Sequence, residues 1–309
     1  FYYGFRDYAK AEAKYHQLAK AYPNFAPAVA SLGFIHRRQG RWAEAMEDLR
    51  RAVELEPRSR RYLTALGETA LKLRLYDEAG EAFRRFQAQA PGDFYAIMMV
   101  TIQAYRSIGD LGPAKSIWEE AMAGHDNPEW IYRSGTLIDQ LDELREFADR
   151  RRASENAEER DWYARARMAR VYWLSGDRAL ARELIAPTLA AQAERLKDST
   201  NQYELVELAL AYAMMGQNEQ AMATTRRMVD LLPESADPWD GVTGSEMAAQ
   251  IMAWAGETDR ALDELERLLE IPSDINVHLL RHHSHWRMLR GHPRFEALLD
   301  DPANNAPLI

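Results

Sequence analysis

The chain has 309 residues, a formal net charge of −9 and no cysteine. Disulfides and thiolate chemistry are thereby excluded, and a nucleic-acid-tracking surface is disfavoured. No run approaches the ~20 apolar residues that a membrane-spanning helix needs. At 47% hydrophobic and 28% charged, the composition is that of a folded chain. Ala, Leu, Glu and Arg dominate and strand-type alternation is scarce, which favours helix. The charge is uneven: residues 1–110 hold 17 Lys/Arg against 13 Asp/Glu, and residues 111–309 hold 22 against 35. The acidic half argues against binding nucleic acid and permits a cationic partner.

Taken in order, the chain repeats itself. Tyr8, Ala11, Tyr15, Leu18 and Pro23 form the first, incomplete unit. Val29, Leu32, Gly33, His36, Trp42, Ala45, Leu49, Ala52 and Pro57 form the second. Leu63, Leu66, Gly67, Ala70, Tyr76, Ala79, Phe83, Phe86 and Pro91 form the third. Ala11, Ala45 and Ala79 are 34 residues apart, as are Pro23, Pro57 and Pro91. Two residue types keeping one period mark a structural repeat. Small residues let two helices approach, glycine ends the first helix, and proline stops the second.

A looser fourth unit spans Met98 to Ala121, and the pattern decays over 128–152, where Trp130–Ile138 and Leu141–Arg150 are expected to pair. A polar connector follows at Ala153–Glu158. Three further pairs come with Gly176 and Ala181, Gly216 and Ala221, and Gly256 and Ala261, each Gly five residues before its Ala. Segment 189–199 lengthens one second helix, and Ser235–Gly244 reads as a longer loop. After Ile271 the repeat gives way to short helices at Val277–Arg281 and Pro293–Leu299, anchored by Trp286, Leu289, Phe295 and Leu298.

This pattern resembles the tetratricopeptide repeat (TPR). The expected fold is therefore all-α: a right-handed TPR superhelix of about seven to eight helix pairs with a C-terminal capping segment. Its divisions are an N-terminal array at 1–152, a second array at 158–271, and a cap and tail at 272–309. The chain opens on Phe1 partway through a repeat, which reads as a trimmed fragment.

Asp237-Pro238-Trp239-Asp240-Gly241, the run Ala261 to Ser273, Trp286, and His292-Pro293-Arg294-Phe295 also resemble the C-terminal TPR region of large bacterial signalling proteins. The same holds for Gly33 to Trp42. In that family such arrays follow an adenylate or guanylate cyclase, a serine/threonine kinase or a winged-helix regulator. The resemblance implies a cytoplasmic, regulatory interaction module, with an effector domain as one intramolecular partner. His283-Ser284, Arg287-Met288 and His292 depart from the family's Asp-Pro pattern.

Catalytic motifs such as G-x-x-x-x-G-K, H-E-x-x-H and G-x-S-x-G are missing from the sequence, so an enzyme is not expected and no cofactor is assigned. His278, His282, His283, His285 and His292 cluster, which makes a C-terminal metal site the remote alternative; without a carboxylate at ligand spacing they read as packing and surface residues, and no metal is assigned.

In a TPR array the first helix of each pair lines the concave groove. That register selects Phe34, Arg37, Arg38, Arg61, Lys72, Arg106, Arg170, Trp173, Tyr203 and Trp254 as partner-binding positions. The early groove is basic and the later one aromatic, which suits a protein or peptide partner with an acidic stretch. The competing reading is that the Arg are solvated and the aromatics pack between repeats. A separate alternative is an oligomerisation module, a homodimer formed at the apolar edge around Tyr8 and Tyr15.

Overall fold

Caps and left-handed turns divide the chain into antiparallel helix pairs. The computed structural model describes residues 4, 6–91, 93–109, 112, 115, 116, 119, 141–154 and 161–309. The helices are α1 (Tyr8–Ala21), α2 (Ala26–Arg38), α3 (Trp42–Leu55), α4 (Arg60–Lys72), α5 (Tyr76–Gln89) and α6 (Phe94–Ile108). They continue as α7 (Leu141–Ser154), α8 (Trp162–Leu174), α9 (Arg178–Arg195), α10 (Gln202–Met214) and α11 (Asn218–Leu231). Last come α12 (Gly241–Trp254), α13 (Thr258–Glu270), α14 (Val277–His282), a 3-10 turn (Ser284–Leu289), α15 (Pro293–Asp300) and a second 3-10 turn (Pro302–Asn305). Among the described residues there is no strand, and no helix is long and apolar enough to cross a membrane.

Side-chain oxygens of Asp7, Asp161, Asp177 and Asn201 accept the first free amides of α1, α8, α9 and α10. Gly40, Gly176, Gly216 and Gly256 close the first helices of four pairs with φ between +73° and +89°. In the third repeat Arg74 stands in that place at φ +60°. A non-glycine residue there is strained by about 1–2 kcal/mol. Its buried guanidinium offsets this by donating to the Leu269 carbonyl at 2.6 Å.

The core follows the repeat code. Leu49, Leu63, Ala70, Ala79 and Phe83 are fully buried in the N-terminal cluster, and Ala169, Tyr172, Ala209, Ala221, Ala249, Ala261 and Leu265 in the C-terminal one. Each large side chain so buried contributes roughly 1.5–3 kcal/mol. Two boundaries differ from expectation: the helix begun at Leu141 runs on to Ser154, and Asp240 already precedes helix α12; α9 is lengthened as expected, to Arg195, with Pro187 inside it. The expected helix at 130–138 and most of the second half of the fourth unit, 109–121, lie outside the described residues.

The array does not stay open. Its end folds back across its beginning. The Leu308 amide donates to the Leu73 carbonyl at 3.1 Å. Tyr76 Oη donates to Asn305 Oδ1 at 2.9 Å and accepts from Asn276 Nδ2 at 3.2 Å. Leu308 packs on the N-terminal cluster.

Candidate functional site

The concave face is built from α2, α4, α6, α8, α10 and α12, the first helices of their pairs. At its N-terminal end it is basic, and most of that charge is already met within the chain. Arg38 Nη1 donates to Asp237 Oδ2 at 2.6 Å and also pairs with Asp240. Asp237 is fully buried and accepts a second bond, from Tyr8 Oη at 2.7 Å. Burial, then this carboxylate, push the Tyr8 hydroxyl up to about 12. Asp237 also accepts the amides of Trp239 and Asp240, which fixes the turn that presents it. Trp239 lies 6.1 Å from Trp42 between ring centroids, and the Arg37 guanidinium sits 3.9 Å over its ring.

One turn further along, Lys72 and Arg106 are both buried. Lys72 Nζ donates to Asp274 Oδ2 at 3.1 Å, and Arg106 Nη1 donates to Asp274 Oδ1 at 2.8 Å. Glu246 stands 3.8 Å from Lys72 and accepts the Asp274 amide. Burial opposes charge on Asp274, yet the two cations hold it well below the usual carboxylate range. Burial of Glu246 outweighs its cationic neighbours and pushes it up to about 7.

The later groove is filled in the same way. Trp173 and Trp254 are buried and stacked at 6.1 Å. Trp254 Nε1 donates to the His285 carbonyl at 3.0 Å. Arg170 pairs with Glu207, and Tyr163 Oη donates to Glu204 at 3.0 Å.

The ten groove positions therefore divide. Arg38, Lys72, Arg106, Arg170, Trp173 and Trp254 face their own chain, so their expected role in holding a separate partner is corrected here. Register identifies the concave face, but it does not say where superhelical curvature delivers the chain's end. Phe34, Arg37 and Arg61 line one pocket, with Phe34 and Arg37 largely buried and Arg37 also packed on Trp239, and Tyr203 is exposed apart from them. At the edge expected to dimerise, Tyr8 is buried and bonded to Asp237, and Tyr15 lines that pocket.

The pocket has a volume of about 620 Å³. Its floor is the Phe34 ring, with the Arg37 and Arg61 guanidiniums 5.0 and 4.8 Å from its centroid. Glu68, Tyr95, Arg60 and Asp93 form the rim. Tyr95 Oη donates to Glu68, and Arg60 stands 3.6 Å from Asp93. Such a site offers an aromatic surface beside cations, suited to a side chain that combines apolar body with negative charge.

The five C-terminal histidines do not gather. Among the described residues, no three of them with carboxylates bring ligand atoms within 4.8 Å of one another. His283 Nδ1 accepts the His285 amide at 3.1 Å, and burial first, then Arg106, depress His283 to about 3. His278 Nε2 lies 3.3 Å from Asn305 Nδ2.

The register placed Glu246 on the concave face but missed the inner partners Asp237, Asp240, Asp274 and Trp239. Their signal was the acidic balance of the second half and the Asp-Pro-Trp-Asp run.

Family models described as tetratricopeptide repeat match residues 2–55 and 32–94, and a second such model matches 205–235. No curated protein matches the chain by sequence. Among solved structures, a tetratricopeptide repeat protein from Parabacteroides merdae is similar at 14% identity and TM-score 0.54, over 80% of this chain and 94% of that one. A thermophilic TPR protein of Thermus thermophilus is matched at 19% identity and TM-score 0.38, over 72% of this chain and 98% of that one. The first bears on the fold alone, and the second score is too low to carry an argument. The chain thus carries tetratricopeptide repeats in both halves of an all-α TPR superhelix.

Proposed function

We propose that the chain is a non-enzymatic scaffold that binds a segment of a partner protein at the Phe34–Arg37–Arg61 pocket. Proteins with this repeat generally mediate protein–protein contacts. The single observation behind the choice of site is the Phe34 ring with two guanidiniums within 5.0 Å of its centroid, lining a pocket in an otherwise self-filled groove. Aromatic and Arg side chains in a concavity are common anchors of a binding surface. A partner segment bearing an apolar side chain next to Asp or Glu fits both features.

The resemblance to bacterial signalling arrays supports a regulatory, cytoplasmic setting with an attached effector domain. Tyr22 and Phe25, 62% and 45% exposed at the α1–α2 turn, favour a second reading in which that edge self-associates.

Panning a displayed random-peptide library on the full chain tests the proposal. Enriched peptides should pair acidic with apolar residues. In calorimetry, Arg61→Glu should weaken them at least tenfold, about 1.4 kcal/mol, while Tyr203→Ala leaves them unchanged. Peptides that bind equally to Arg61→Glu, or no enrichment at all, would overturn the site.

A further inference from the structure

Glu12 and His16 lie four residues apart on α1 and so share one face. His36, near the end of α2, comes to meet them. Glu12 Oε1 stands 3.4 Å from His16 Nε2 and 3.4 Å from His36 Nε2. All three ligand atoms lie within 4.8 Å of one another. A tetrahedral ion with ligand bonds of ~2.1 Å separates its ligands by about 3.4 Å.

His36 is buried, and its Nδ1 faces Asp48 Oδ2 at 2.7 Å. A proton on Nδ1 toward that carboxylate leaves the Nε2 lone pair aimed at the Glu12 oxygen. Two acceptors so placed repel unless a metal ion or a proton lies between them. An imidazole with a carboxylate on its far nitrogen is the arrangement that orients metal-binding histidines.

The surrounding charge agrees. Glu12, Glu44 and Asp48 carry three negative charges, and Arg41 bridges Glu12 at 2.6 Å and Glu44 at 2.7 Å. The excess of two matches a divalent ion. Gln39 Nε2 donates to Glu12 Oε2 at 3.0 Å, while Oε1 faces the two histidines and also accepts from Arg41 Nη1 at 2.6 Å. His16 is more than half exposed, so an ion can enter from the surface and keep a water as fourth ligand.

We propose that Glu12, His16 and His36 form a divalent transition-metal site of zinc type, oriented by Asp48, that ties α1 to α2. Two imidazoles and one carboxylate select zinc, cobalt or nickel over magnesium and calcium, which take oxygen donors. The three residues are split between helices, 4 and 20 positions apart, so no ligand spacing shows in the sequence.

The rival arrangement is an imidazolium. Burial of His36 opposes its charging, but Asp48 outweighs burial and raises its pKa. A protonated His36 would join the two carboxylates without a metal.

The test uses the full chain, stripped with a chelator and titrated with Zn²⁺ and Co²⁺ in a calorimeter at neutral pH. One equivalent should bind, and the Co²⁺ form should show the intense visible absorption of four-coordination. His16→Ala, at an exposed position, should lose that equivalent with helicity intact. Asp48→Asn should weaken it about 10–100-fold. His282→Ala should change nothing. No uptake by the wild type would leave the imidazolium arrangement and overturn the proposal. So would uptake that survives His16→Ala or is lost in His282→Ala.

Discussion

Asp274→Ala is expected to lower the unfolding free energy by about 2–3 kcal/mol, measured by urea denaturation at neutral pH. Asp274 divides its two oxygens between Lys72 and Arg106. Those cations have side chains only 6% and 9% exposed. Without the aspartate both would stay buried beside a single carboxyl, Glu246. That group is a poor substitute, because it stands 3.8 Å from Lys72, against the 3.1 and 2.8 Å hydrogen bonds that Asp274 accepts from Lys72 and Arg106. Breaking a fully buried pair costs roughly 3–5 kcal/mol. Asp274 is itself over a third exposed, so water screens part of the loss and the lower figure applies. Arg51→Ala is the contrast. It removes an exposed pair with Glu54 and should change stability by less than about 0.5 kcal/mol.

Gly67→Ala is expected to destabilise by about 2 kcal/mol, read by the same denaturation. A methyl at Gly67 would lie 2.4, 2.6 and 2.8 Å from three carbons of the Phe83 ring. Phe83 is fully buried between α4 and α5, so its ring has no space to retreat and the helices must part. Overpacking of this kind costs up to ~3 kcal/mol. The better helix propensity of alanine returns up to about 1 kcal/mol. Phe83→Leu in the Gly67→Ala background should recover part of the loss, since the clash is with the ring. Gly33→Ala should be milder: its methyl meets Leu49 Cγ at 2.9 Å and Cδ2 at 3.1 Å, a looser contact than the 2.4 Å at Gly67. No destabilisation from Gly67→Ala would mean that α4 and α5 are not this close.

Most of the fold was legible because the repeat writes its packing into spacing. Gly33 and Gly67 mark close helix contacts, and Gly40 and Gly216 mark left-handed turns. Arg74 escaped notice because its positive φ is held by a contact with Leu269, 195 positions away. The groove was half legible. Register placed Phe34, Arg37 and Arg61 on the concave side, and they line the pocket. The same register offered Arg38, Lys72 and Arg106 to an outside acidic partner, whereas the structure supplies that acid from Asp237, Asp240 and Asp274. The opposite charge balance of the two halves carried this information. It could equally have signified an external ligand, because long-range closure depends on accumulated helix-pair geometry that no short window contains. Glu12, His16 and His36 were hidden because they meet across the α1–α2 contact at separations of 4 and 20 residues, which match no ligand motif.

The self-closed groove is tested most directly by a double-mutant cycle on Arg38 and Asp237, residues 199 positions apart and joined by a 2.6 Å ion pair. Arg38→Met and Asp237→Asn, singly and together, would be measured by urea denaturation. Closure predicts a coupling of about 1–3 kcal/mol. A coupling below about 0.5 kcal/mol, the additivity of sites that do not touch, would contradict it.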